Sequence, residues 1–274
     1  MLSNEYKQLY WRKSGEYKHF FWKRKIVIGK DGKVNIPSID VPLAHGCNLK
    51  CECCFPLNPL RTGLVSREMI ADSFEKWSRK IFPERVILTG GEPLLNPEIV
   101  QIVADVSRYW QQSQCELWTN GLLLPRTSDD VLREFKKHKV FVCISQHLDT
   151  DEYRETLKQS LQRLKRLDVR CRVFESYRDW RGLWNLDTDG VPIPCRSSHD
   201  KSYGCCYSKR CTLIHGDYLY RCNFLAHLSM ALQEKAIGPE WAQASTHKPA
   251  SFENTPKEGS SPESMGSFWF GQFS

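Results

Sequence analysis

Between residues 38 and 176 the apolar positions follow two rhythms in turn. Short apolar runs, SIDVPLA (38–44), RVILTGGEP (85–93), CELWTNG (115–121), VFVCISQ (140–146) and VRCRVFES (169–176), read as strands. SREMIADSFEKWSRKIF (66–82), NPEIVQIVADVSRYW (96–110), TSDDVLREFKKHK (127–139) and TDEYRETLKQSLQRLKRLD (150–168) carry apolar residues at helical spacing. Ser66 and Asn96 are the expected caps of the first two helices. The third begins with acids and ends with bases, matching its dipole, and the fourth also begins with acids. Ahead of them, KIVIGKDGKVNIP (25–37) alternates around Lys-Asp-Gly-Lys and predicts a hairpin.

Strands alternating with helices predict a parallel sheet with right-handed crossovers, either open and doubly wound or curled into a barrel. Both architectures bind ligands at the C-terminal ends of the strands. The unusual sequences sit there: a cysteine cluster after the first strand, GGEP after the second, TNG after the third, and Ser145-Gln146-His147 after the fourth. Four such ends on one face of one sheet define a single site.

The rhythm stops after residue 177. Residues 180–222 are rich in Cys, Gly and aromatics without long periodic runs, and irregular segments of this kind usually need a metal or disulfide staple. From Gly238 onward the composition of Ser, Pro, Glu and Lys predicts a mostly disordered or poorly packed tail. The expected organisation is therefore an N-terminal extension with hairpin (1–37), an α/β unit (38–180), a small irregular Cys-rich region (181–237) and a tail (238–274).

Composition narrows the chemistry. With 41% hydrophobic residues in 274, the chain can build a substantial core. No apolar run approaches the ~20 residues of a membrane span, and MLSNEYKQLYWRK does not read as a secretory signal. The expected compartment is a reducing cytoplasm, where clustered cysteines read as metal ligands or catalysts before disulfides. Net charge is +7, and residues 1–30 hold eight Lys/Arg against Glu5 and Glu16, interleaved with aromatics. Such an arm can hold nucleic acid or a membrane surface. A packed extension with a solvated basic face is the plainer reading, since a charge run alone is weak evidence.

AHGCNLKCECCFP (44–56) places Cys47, Cys51, Cys53 and Cys54 within eight positions. Three thiolates spaced C-x3-C-x2-C can reach three corners of a [4Fe–4S] cube and leave its fourth iron open to a small molecule. Zinc prefers paired C-x2-C knuckles with four Cys/His ligands, which this spacing lacks. Cys53 is a spare thiol or an alternative ligand, and His45 reads as structural or polar lining.

Cys47-Asn-Leu-Lys-Cys51-Glu-Cys-Cys54, Gly90-Gly91-Glu92-Pro93 and Thr119-Asn120-Gly121, in this order on successive strand ends, resemble the radical S-adenosylmethionine (radical SAM) superfamily. The resemblance spans roughly residues 38–176. CNLKCECCFPLNP, LTGGEPLLNPE and LWTNGLLLP resemble more closely a subgroup associated with polysaccharide and glycosyltransferase genes. What the superfamily resemblance implies is a partial (βα)6 TIM-like barrel with a [4Fe–4S] cluster on Cys47, Cys51 and Cys54. The open iron would chelate the amino and carboxylate groups of S-adenosylmethionine. Gly90, Gly91, Glu92 and Pro93 would lie along the methionine, with glycine suited to close backbone approach. Asn120, Ser145 and Gln146 would meet ribose or carboxylate. The residue before the third cysteine is usually aromatic in the family; here it is Cys53, which moves the expected adenine contact to backbone and Phe55. Reductive cleavage of the sulfonium would give a 5′-deoxyadenosyl radical that abstracts hydrogen from a substrate. An electron donor such as flavodoxin or ferredoxin is implied.

A second group, Cys195, Cys206, Cys211 and Cys222, with HGDYLYRC between the last two, resembles the SPASM or twitch auxiliary-cluster regions of radical SAM enzymes. That resemblance implies an auxiliary [4Fe–4S] cluster. Zinc with His215 or His227, and free thiols, stay open as alternatives, and Cys205 competes with Cys206. Cys115, Cys143 and Cys171 fall within strands, where core packing is expected. Three functions follow: a radical SAM enzyme acting on a peptide or a sugar-type small molecule, a radical SAM enzyme modifying RNA, and a non-catalytic iron–sulfur or zinc binding module. GGEP weighs against the last.

Overall fold

The structure is a computed structural model that describes residues 11–12, 27–51, 54–176, 184–186, 188, 192–194, 211–235, 237–238, 241 and 249–255. Its strands up to the fourth crossover are β1 (Trp11–Arg12), β2 (Val27–Ile28), β3 (Val34–Ile36), β4 (Ile39–Ala44), β5 (Ile81–Pro83), β6 (Arg85–Gly90), β7 (Gln114–Thr119), β8 (Phe141–Gln146) and β9 (Cys171–Glu175). Beyond them lie β10 (Trp184–Leu186), β11 (Pro192–Pro194), β12 (Thr212–His215), β13 (Tyr218–Tyr220) and β14 (Ala250–Ser251). The helices are α1 (Arg67–Trp77), α2 (Ile99–Tyr109), α3 (Asp129–Lys137), α4 (Asp151–Arg166) and α5 (Asn223–Gln233).

Strands β4, β6, β7, β8 and β9 pair in chain order, every pair parallel. An order that never reverses sends all crossovers the same way and all helices to one face. This decides between the two architectures left open above: a partial barrel, not a doubly wound sheet. The helix-facing positions, Ile39, Val41, Leu43, Val86, Leu88, Leu117, Val142, Ile144 and Val173, join α1–α4 residues in one core. The alternate positions face inward and mix charged groups (Asp40, Arg85, Glu116 and Arg172) with rings such as Trp118 and Phe174, which stack at 5.1 Å. Glu116 takes Arg85 at 3.5 Å and Arg172 at 3.7 Å, and Asp40 accepts a hydrogen bond from Asn223 of α5. Burial pushes the Asp40 carboxyl up to about 7.

Three helices start at hydroxyl caps: Ser66, Ser128 and Thr150 accept from Met69, Val131 and Tyr153 N–H groups. Contrary to the expectation from sequence, Asn96 does not cap α2, which starts behind Glu98. Asn96 follows the 3-10 turn Pro93–Leu95, accepts from Glu98 N and donates to Leu43 O and Val65 O. The first helix also stops short of residue 82, because Ile81 leaves it to pair in parallel with Val34, where it is fully buried.

The region beyond residue 177 departs most from expectation. β12 lies parallel to β4, and the β12–β13 hairpin extends the main sheet. Its successor α5 was not expected as a helix. NFLAHLSMALQ is buried on several sides, by Leu213 and Tyr220 at Ala226 and Met230, and by Leu57 and Trp241 at Leu228 and Ala231, so no polar stripe marks a period. Of the expected loose tail, Trp241 is 1% exposed and β14 pairs with β13. Within 238–274 the structure describes only residues 238, 241 and 249–255, and within the basic segment 1–30 only 11–12 and 27–30; Trp11 and Arg12 run parallel to Val173 and Phe174.

Candidate active site

The loop leaving β4 is closed at its neck before the cysteines begin. His45 N and Gly46 N both donate to Gly63 O, at 2.9 and 3.2 Å, and Asn58 Nδ2 donates to His45 O at 2.6 Å. Within the loop, Cys47 Sγ accepts from Leu49 N at 3.4 Å and Asn120 Nδ2 at 3.7 Å. Cys54 Sγ donates to Asn58 Oδ1 at 3.4 Å. Cys54 is buried, and Cys47 and Cys51 are half-buried.

Burial pushes all three thiols up, Cys51 to about 11 and Cys54 to about 12, and the neighbouring thiolates add to both. Three thiols that sense one another share a small volume, yet among the described residues no group of His, Cys, Asp or Glu is arranged around a single ion. A cubane takes one thiolate per iron and so needs donors spread over its corners. The donor set fits a [4Fe–4S] cluster, whose iron charge would draw off the protons that burial holds in place.

The GGEP turn is fastened to that loop. Gly91 N donates to Ala44 O at 2.8 Å and Glu92 N to Gly46 O at 3.1 Å. A Cβ on Gly91 would sit 1.8 Å from Gly46 O, and one on Gly90, at φ +118°, 2.3 Å from Ala44 O. Close backbone approach was expected of both glycines, toward a ligand. The approach that requires glycine here is to the root of the cysteine loop.

Glu92 is fully buried and ties two strand ends together. Its Oε1 accepts from Thr119 Oγ1 at 2.7 Å and Leu94 N at 3.1 Å; its Oε2 accepts from Asn120 N at 2.9 Å. Burial pushes this carboxyl up to about 7 against the pull of those donors. Pro93 is buried at the start of its 3-10 turn. Asn120 faces the cysteine loop, with Nδ2 also 2.7 Å from Asn48 Oδ1. Ser145 is half-buried, Gln146 is buried with Nε2 donating to Leu148 O at 3.0 Å, and the Phe55 ring lies 5.5 Å from Phe224. The cysteine loop, GGEP and TNG thus meet through direct bonds, with the Ser145-Gln146 end beside them through Tyr153.

Residues 41–179, just over half of the 274, match the family described as the Radical SAM superfamily. The chain belongs to the radical SAM superfamily. As a radical SAM protein it is an enzyme, and its cofactors are a [4Fe–4S] cluster and S-adenosylmethionine. Among curated relatives, the GTP 3′,8-cyclase of Clostridium acetobutylicum is 32% identical over 107 residues, 38% of this chain and 33% of that protein. Molybdenum cofactor biosynthesis protein 1 of Homo sapiens is 33% identical over 91 residues, 31% of this chain and 14% of that protein. The chain spans about a third of the length of the cyclases it matches. Among solved structures, BtrN in complex with AdoMet and 2-DOIA aligns with TM-score 0.48 at 16% identity, covering 77% of this chain and 85% of that one. Streptococcus suis SuiB bound to precursor peptide SuiA aligns with TM-score 0.37 at 14% identity, covering 90% and 73%. Among the described residues, no helix of this radical SAM chain is long and apolar enough to cross a membrane.

Several residues at this radical SAM site carried no sequence signal. Tyr153, in the first turn of α4, donates its hydroxyl to Asn120 O and, at 3.3 Å, to Ser145 O, joining the ends of β7 and β8. Arg61 and Glu234 meet across 173 positions. Asn58 touches both Cys54 and His45. Only Tyr153 could have been flagged, as the first of the buried positions 153, 157, 161 and 164 of its helix.

Of the second cysteine group, Cys195 and Cys206 lie outside the described residues, as do Cys53 and Cys205. The hairpin register Leu213↔Tyr220, carried two positions outward, sets Cys211 opposite Cys222; both are half-buried, and Asn223 N donates to Cys211 O at 3.0 Å. Burial, and after it the charge of Arg61, pushes His215 and His227, the alternative zinc ligands, below the ordinary histidine range. Cys115 joins the core and Cys171 packs against it, and Cys143 is fully buried too, on the inner face, where it donates to Glu116 at 3.7 Å.

Proposed function

We propose that this chain reductively cleaves S-adenosylmethionine at a cluster on Cys47, Cys51 and Cys54, and uses the resulting radical to take hydrogen from a peptide or sugar-type substrate. The observation that carries this reading is the bond network from Glu92 through Asn120 to Cys47. When bound, cluster and S-adenosylmethionine supply one-electron cleavage of a carbon–sulfur bond. The chain's residues do the rest. The three cysteines give up their protons to become ligands. The GGEP turn holds the loop root, and Glu92 fixes the Asn120 backbone while the Asn120 side chain stays beside Cys47 Sγ. Gly90, Gly91, Pro93, Ser145 and Gln146 form the remaining wall for S-adenosylmethionine, and Phe55, backed by Phe224, offers a ring to the adenine. An external one-electron donor such as flavodoxin or ferredoxin is required.

The sugar-type substrate is favoured over the peptide by the relatives named for acting on GTP, over the residues they share. The resemblance to the polysaccharide-associated subgroup points the same way. Cys211 and Cys222, opposed at the base of a hairpin, support an auxiliary cluster completed by Cys195 and Cys206. The test of substrate class is hydrogen transfer. Perdeuterated nucleotide sugars, GTP and peptides would be incubated with the reduced, reconstituted enzyme, and deuterium sought in 5′-deoxyadenosine. Label from a sugar or nucleotide supports this reading; label from peptides alone overturns the sugar preference.

A further inference from the structure

Arg61 sits behind the cysteine loop with its side chain fully buried. Its guanidinium spends its donors on three segments of the chain. Nη2 reaches His45 Nδ1 at 2.7 Å, at the loop entry; Nη1 reaches His227 Nδ1 at 3.1 Å; Nε and Nη2 hold the Glu234 carboxylate at 2.8 and 2.6 Å. Arginine only donates, so both histidines accept through Nδ1 and carry their proton on Nε2. A ring that accepts at Nδ1 is the neutral imidazole, so neither histidine adds a charge beside Arg61. One buried cation therefore stands at the neck of the loop. Its counter-charge among the described residues, Glu234, is 35% exposed and screened by water on its open side.

A buried guanidinium is a costly way to gain stability, because apolar packing of equal volume usually does as well. Its position suggests another use. It bonds His45, two residues before Cys47, and its own N–H bonds Asn58 O, the residue whose side chain takes the Cys54 thiol.

We propose that Arg61 is a positioning residue that also raises the reduction potential of the cluster on Cys47, Cys51 and Cys54. A cubane with three thiolates gains negative charge when it accepts one electron from an external donor, with no bond made or broken. A fixed cation whose residue is bonded to the loop at His45 and Asn58 favours that reduced state, and net local charge is one of the levers on cluster potential. Glu234 acts in the opposite sense, limiting the rise. The inference rests on the cysteine loop holding the cluster.

The test uses the full chain, reconstituted anaerobically with iron and sulfide and titrated with dithionite under EPR. Arg61→Met and Glu234→Gln both break the same strap. A purely structural strap would loosen the loop in both and move the potential the same way. The expected result is opposite shifts: more negative in Arg61→Met, more positive in Glu234→Gln. Shifts of the same sign, or none, overturn the proposal. If Arg61→Met retains no cluster, Arg61→Lys and Glu234→Gln carry the test: the lysine variant is expected to stay near the parent potential while Glu234→Gln rises. A fall or no change in Glu234→Gln overturns it. Iron content of the parent separates the two readings. A parent without iron sinks the cluster assignment itself; a parent with iron and unmoved potentials sinks only the role of Arg61.

Discussion

The backbone N–H of Asn120 donates to Glu92 Oε2 at 2.9 Å, binding the end of the third barrel strand to the turn after the second. The acceptor is a buried carboxyl pushed from its ordinary 4.5 up to about 7. Between those values the folded chain keeps a proton that the unfolded chain has lost, so stability falls as pH rises through that window and levels off above it. Asp40, moved from 3.8 to about 7, slopes the same way. Urea unfolding of the apoprotein should therefore show stability declining between about pH 5 and 7, and Glu92→Gln should make the decline shallower by up to about 1.4 kcal/mol per pH unit. An unchanged slope would place the Glu92 proton elsewhere.

Gly91→Ala should damage the site from outside the ligand set. Its Cβ, 1.8 Å from Gly46 O, meets backbone, which cannot swing away as a flexible side chain can. Overpacking of this kind costs about 1–3 kcal/mol or more. Melting temperature and iron per chain should both fall; an alanine variant with parental iron content would mean that the loop root is loosely held.

Helix α5 should prove part of the catalytic unit. Leu57 sits in the left-handed region at φ 60°, which costs a non-glycine residue about 1–2 kcal/mol, and is held there against Leu228, Ala231 and Trp241. Leu228→Ala opens a cavity at a fully buried position, with an expected loss of about 2–5 kcal/mol. Hydrogen exchange should rise in α5 and in residues 54–61 together. Exchange confined to α5 would show that the two are independent.

The second cysteine pair predicts a stoichiometry. A chain with both clusters binds about eight irons, one with the first alone about four. Cys211→Ala with Cys222→Ala should lower the count from about eight to about four while S-adenosylmethionine cleavage persists. A parent already at about four irons would leave these two cysteines as ordinary hairpin thiols.

The barrel and the four strand ends were legible because their signals are local. Apolar runs such as VFVCISQ, the Ser66 cap and the glycine pair each depend on neighbours a few positions away. The sequence left the choice of barrel or doubly wound sheet open, since strand order is set by packing between distant segments. Helix α5 was hidden by burial on several sides, which removes the polar stripe. Ile81 was read into α1 because one apolar residue fits either period. Arg61 and Glu234 were invisible for a different reason: their meaning lies wholly in a contact between segments 173 positions apart.

The central claim is that Cys47, Cys51 and Cys54 carry the chemistry. The direct measurement is anaerobic reconstitution followed by iron counting, reduction, addition of S-adenosylmethionine and assay for 5′-deoxyadenosine. The account predicts at least about four irons per chain and formation of 5′-deoxyadenosine, with product absent from the Cys47→Ala, Cys51→Ala, Cys54→Ala triple variant. A full, reducible cluster that leaves S-adenosylmethionine intact, or a triple variant that still cleaves it, would contradict the account.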